Sequence, residues 1–139
     1  MLPSSNRYSQ TVVVTPIHKS ATNPVAHWMV VEPFDFHWLG NGAAVTVTVP
    51  GGLKSDGASI PWPFKMLMPK SDPAYIQAAI LHDYMAGQGG YDRAFADRVF
   101  FAALRTLNVS LVTASIMYIG LRIGAFLKPL KTRFFGDGN

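Results

Sequence analysis

Three phrases in the middle of the chain put polar side chains where apolar ones belong. KSDGASIPWP (Lys54–Pro63) is a loop punctuated by Gly and Pro that carries Asp56 and Ser59. AAILHDYM (Ala78–Met85) is an apolar helix interrupted by His82 and Asp83, and FADRVF (Phe95–Phe100) repeats the interruption with Asp97 and Arg98. An unpaired polar group in a packed helix costs on the order of several kcal/mol, so these groups must answer one another. Two chemistries use such residue types. His82, Asp56 and either Asp83 or Asp97 form a one-histidine, two-carboxylate set for a divalent metal ion, with water in the open position. Metal-bound water is a hydrolytic nucleophile. Ser59, His82 and Asp56 also contain the residue types of a nucleophile triad, although no G-x-S-x-G elbow surrounds Ser59. Adjacent helical residues point about 100° apart, so His82 and Asp83 cannot form a dyad with each other.

The same residues admit a purely structural reading, and we favour it. Asp56-Gly57 is an ordinary turn pair, and Ser59 before Ile60-Pro61 can bond its own backbone. His82 and Asp83 would then clamp the irregular loop by pairing with its orphan backbone groups. Asp97 would pair with Arg93, four residues earlier, or with Arg122. His18, His27 and His37 lack metal-ligand spacing and read as incidental.

Elements of both kinds must hold this cluster. TVVVTPI (Thr11–Ile17) is a β-branched run with Pro16 inside it, which suits an edge strand or a strand lent to a neighbour. HWMVVEPFDFHW (His27–Trp38) and AAVTVTVP (Ala43–Pro50) read as two strands of a hairpin, the first kinked at Glu32-Pro33 and the two joined through Leu39–Gly42. Val45, Val47 and Val49 alternate with Thr46 and Thr48, which predicts the valines facing the core. Gly51–Pro73 reads as an irregular connection with one short helical turn at Pro63–Met68. Ser71-Asp72-Pro73 opens a helix expected to reach Ala86, with Ile76, Ala79, Ile80 and Asp83 on one face. A second helix spans about Asp92 to Leu107, with Ala96, Val99, Phe100, Ala103 and Leu107 as its core face. Asn108 suits a left-handed cap, Ser110 caps a third helix, Leu111–Lys128, and Pro129 ends it. The expectation is an α+β domain: an N-terminal antiparallel hairpin or three-stranded sheet, an irregular loop, then three helices. Residues 1–26 form an arm and edge strand, 27–128 the domain, and 129–139 a tail.

The order VPGGLKSDGASIPWPF, AAILHDYM, DRAFADRVFFAALRTLNV and an apolar tail with an arginine resembles the DUF1353 family of small proteins encoded by bacteriophages and prophages. The resemblance runs from about His27 to Phe126. It implies a phage origin and one shared polar cluster: Asp56, Ser59, His82, Asp83 and Asp97. It brings no established activity.

Composition bears on partners. Of 139 residues, 49% are hydrophobic and only 14% charged, which leaves apolar surface for a partner to cover. Cysteine is absent, which excludes disulfides and cysteine zinc sites. The N-terminus has no signal-peptide pattern. The net charge of +4 is spread thinly, with a cluster only at Lys128, Lys131 and Arg133, and this disfavours nucleic acid as a partner. The third helix, at 18 residues, is about 27 Å long and carries Arg122, so it reads as a buried or interface helix rather than a membrane span. Membrane contact is the weaker expectation. The expected function is a non-enzymatic docking protein, a virion- or tail-associated component or assembly factor, in the particle or the infected cytoplasm. Its contacts would run through the N-terminal arm and the C-terminal helix, to other phage proteins or to another copy. The alternative is a metal-dependent hydrolase acting on cell-wall peptide through Asp56, His82 and Asp83.

Overall fold

The computed structural model describes residues 6–17, 27–40, 42–55 and 73–135. The chain is α+β: six short strands precede three helices. The strands are β1 (Arg7–Tyr8), β2 (Val14–Ile17), β3 (His27–Val30), β4 (Phe34–Gly40), β5 (Ala43–Val49) and β6 (Lys54–Ser55). The helices are α1 (Pro73–Ala86), α2 (Arg93–Thr106) and α3 (Leu111–Phe135). Among the described residues the strands form two antiparallel three-stranded sheets, ordered β1-β4-β5 and β2-β3-β6.

This differs from the single sheet expected, and the cause is local. Glu32-Pro33 does more than kink one long strand. Val31 and Glu32 form a bend, after which the chain leaves one sheet as β3 and enters the other as β4. Pro33 lacks an N–H to continue a ladder and holds its predecessor extended, so pairing stops there. The stretch after Pro50 is likewise not wholly irregular, because Lys54 and Ser55 pair with Met29 and Trp28 as β6. The short helical turn expected at Pro63–Met68 and the capping residues Ser71 and Asp72 lie outside the described residues.

The β4–β5 hairpin follows its alternation. Phe34, Phe36 and Trp38 stand opposite Val49, Val47 and Val45 on one face. Phe34, Phe36, Val47 and Val49 are buried, Val45 is half-buried, and Thr46 and Thr48 are exposed. On the outer face Thr48 donates to Asp35 at 2.8 Å, and His37 Nδ1 lies 3.0 Å from Thr46 Oγ1. The turn residue Gly42 has φ +75°, which a side chain would resist.

The N-terminal segment is woven into both sheets. β1 pairs with β4, supported by Ser9 N–H donating to Asp35 O and Leu39 N–H donating to Asn6 Oδ1. Tyr8 packs edge-on against Phe36 with ring centroids 4.9 Å apart. β2 pairs with β3 and keeps Pro16 at the edge of its sheet, where a missing donor costs least.

Among the helices, α1 is central. Tyr75, Ile76, Ala78 to His82 and Met85 are all buried, so the helix is covered on nearly every side rather than on the one expected face. On α2, Ala96, Val99, Phe100 and Ala103 are buried as the spacing predicts, joined by Asp97, Ala102 and Leu104, while Leu107 is half-buried. Asp92 is the N-cap of α2 and accepts from Phe95 N–H. Asn108 is left-handed at φ 66°, and Ser110 Oγ accepts from Thr113 N–H at 3.1 Å. Pro129 does not end α3, which continues to Phe135. A proline inside a helix forfeits one hydrogen bond at about 3 kcal/mol, and eighteen preceding helical residues outweigh that loss.

Candidate functional site

His82 and Asp97 meet in the core between α1 and α2. α1 is buried almost all round, so its one imidazole enters the interface with α2 and needs a partner there. His82 Nε2–H donates to Asp97 Oδ1 at 2.6 Å, and both side chains are essentially inaccessible. Arg93, one turn before Asp97 on α2, donates from Nε to the same oxygen at 3.0 Å. Arg122 reaches in from α3, its Nη1 3.2 Å from Asp97 Oδ2. That last contact is an ion pair, and Oδ2 has no hydrogen-bond partner among the described residues. One carboxylate thus joins three cationic groups from three helices. Arg122, the charge that looked misplaced in an apolar helix, belongs to this network.

The electrostatics follow. Burial works against a charged His82 ring, but the carboxylates of Asp83 and Asp97 outweigh it and raise the pKa above the ordinary histidine value. Of these two, only Asp97 is within hydrogen-bonding distance, since Asp83 Oδ1 stands 3.9 Å from Nδ1. Burial also opposes a charged Asp97, and there the imidazole and the Arg93 guanidinium prevail and hold the carboxyl below the usual range. Each member of the pair therefore favours the charged form of the other. His82 Nδ1 has no hydrogen-bond partner among the described residues.

Asp83 faces the other way and accepts from Ser55 Oγ–H, at the end of β6. The expected clamp on the loop itself falls on residues outside the described ones, while the α1 side of it has partners within them. Asp83 ties α1 to the strand that enters the loop, whereas His82 pairs with a helix. His82 pairs with Asp97 because the core side of α1 faces α2, and burial there demands a charged partner. Asp56 and Ser59 lie outside the described residues, so their distances from His82 and Asp83 do too. Ser55 is the residue that sequence reasoning missed. It is a small polar residue at the end of a two-residue strand, and no spacing marks it.

The described residues fit a divalent cation poorly. Asp97 already faces two guanidiniums, and His82 directs one nitrogen at Asp97. Among the described residues no group of three or more histidines and carboxylates is placed to hold a metal ion. Among the described residues the Ser55 hydroxyl donates to Asp83.

A second feature lies on the surface. Asn6, just before β1, and Trp38 and Gly40 of β4, with α2 and α3, wall a groove of about 740 Å³. Arg98 and Arg105 stand at its rim, both exposed. Beside it α3 displays Leu111, Val112, Ile119, Ile123 and Phe126, between 39% and 70% exposed. Among the described residues no helix is long and apolar enough to cross a membrane.

No significant match exists among curated proteins or solved structures. Residues 28–121 match the DUF1353 family, described as a protein of unknown function. That segment holds β4, β5, β6, α1, α2, both members of the His82–Asp97 pair and most of the groove wall. With two thirds of its length matched, and the Ser55–Asp83 and His82–Asp97 contacts inside the match, the chain belongs to the DUF1353 family.

Proposed function

We propose that this chain is a non-enzymatic docking protein of phage origin, acting as a virion- or tail-associated component or as an assembly factor. One observation carries the reading: α3 leaves a row of large apolar side chains uncovered, from Leu111 at 58% to Phe126 at 70% exposure. A contiguous apolar row on a small domain marks a surface that a partner covers. Of the residues that invite a hydrolytic reading, His82 is engaged in the core with Asp97, beside Arg93 and Arg122.

His82→Asn tests the reading, because the amide keeps a hydrogen-bonding side chain but loses the imidazole's acid–base chemistry. A docking protein loses about 1–3 kcal/mol of stability, the range for a disturbed buried hydrogen bond, and still complements a deletion wherever it folds. Mass analysis of purified particles should find the chain in fixed copy number if it is a virion component. A variant that melts like wild type but fails to complement would overturn the docking reading in favour of chemistry at His82.

A further inference from the structure

We propose that the groove between α2 and α3 is the seat of an acidic amphipathic helix from a different protein. This rests on the docking reading and specifies its partner. The groove's walls are two helical ladders. Arg98, Phe101, Ala102 and Arg105 stand at i, i+3, i+4 and i+7 on α2, and Ser115, Tyr118 and Ile119 stand at i, i+3 and i+4 on α3. Two adjacent ladders with an open furrow between them accept a third helix as ridges into grooves, its apolar face read at i, i+3, i+4 and i+7. Trp38, packed edge-on against Phe95 at 4.9 Å, closes the furrow on the sheet side.

Charge sets the chemistry of the occupant. Neither rim arginine meets a carboxylate among the described residues. Arg98 lies over the Phe95 ring at 5.9 Å, and Arg105 donates to Val109 O at 2.9 Å. Both contacts leave donors on each guanidinium free to bind a carboxylate. Seven residues along one helix separate the two by about 10.5 Å. A partner helix with two acidic residues seven apart matches that span. None of the three described helices supplies such a pair: α1 contributes Asp83, α2 the buried Asp97, and α3 has no acidic residue. The occupant is therefore not a second copy of these helices. An apolar floor with two cations is also a poor footprint for nucleic acid, which needs a basic stripe.

The test uses the full chain and two designed 18-residue amphipathic helical peptides, alike except for a Glu pair or a Lys pair seven residues apart. Labelled-peptide anisotropy should show saturable binding of the Glu peptide and at least tenfold weaker binding of the Lys peptide. Arg98→Glu with Arg105→Glu should invert that preference, and Ile119→Glu should abolish both. Thermal melts check that the variants fold; if the double reversal does not, Arg98→Ala with Arg105→Ala should erase the preference. Equal binding of both peptides, binding of neither, or a preference unmoved by the arginine changes would overturn the proposal. So would a homodimer in sedimentation that Ile119→Glu dissociates, or an oligonucleotide that displaces the Glu peptide. Particle incorporation separates this claim from the broader one. Incorporation of the charge-reversed chain leaves docking standing and removes the groove from it, whereas Glu-peptide binding by a chain absent from particles and unable to complement does the reverse.

Discussion

Asp97 holds its charge in the core because three cations share it, and that arrangement ties stability to pH. The folded pKa of His82 is raised, so its contribution is complete below the ordinary value of 6.5 and is lost as pH rises through the folded value. The folded pKa of Asp97 is lowered, so its contribution is present above the ordinary 3.8 and is lost as pH falls through the folded value. Stability from the pair therefore spans the window between the two shifted values. Melting temperature should decline as pH rises beyond about 6.5 and the raised histidine value is crossed. In His82→Asn that alkaline decline should vanish, while the acidic limb remains. An unchanged alkaline limb in the variant would show that another group sets it. The polar residues of this site were legible from their intrusion into apolar phrases, and Asp97's two arginines from spacing and from the apolar setting of Arg122. Asp97 was among the carboxylates weighed for His82, but the choice of it as the partner was not legible. Which side of α1 faces α2 depends on packing, and a helix buried all round has no polar face from which to read it.

At the level of elements, local chemistry was readable wherever one face is wet. Val45, Val47 and Val49 alternate because Thr46 and Thr48 face solvent, and α2 keeps its period because Arg98 and Arg105 do. The β3–β4 break and the passage of α3 through Pro129 were not readable, since each sets a local proline cost against distant pairing. The α2–α3 connection offers a measurable case. Asn108 adopts φ 66°, and Ser110 caps α3. Asn108→Ala should cost about 1 kcal/mol, because a Cβ without a local polar partner resists the left-handed region. Asn108→Gly should be neutral or slightly stabilising. Ser110→Ala should cost about 1 kcal/mol through the lost cap. Denaturant melts with unchanged slope would confirm that each change acts on stability alone.

Over the whole molecule, β1 and β2 of the segment that read as an arm pair within their own chain. β1 covers the edge of β4, and Tyr8 lies against Phe34 and Phe36. Removing residues 1–10 should uncover that edge and the flank of Phe36, lowering the melting temperature and increasing binding of a hydrophobic dye. A truncated protein that melts like the full chain would mean β1 adds nothing to the fold.

The carboxylate shared by three helices also bears on how this sequence can change over generations. Loss of Asp97 would leave His82 and two guanidiniums without their shared carboxylate, so that position is the costliest of the four to lose first. Loss of Arg93 or Arg122 leaves the carboxylate its remaining cations, and each loss makes the next more damaging. Double-mutant cycles among His82, Arg93 and Arg122 should therefore give coupling energies of about 0.5–3 kcal/mol rather than simple sums. Descendants of this chain can drift in the arginines one at a time, but they can abandon the carboxylate only after its cations have gone.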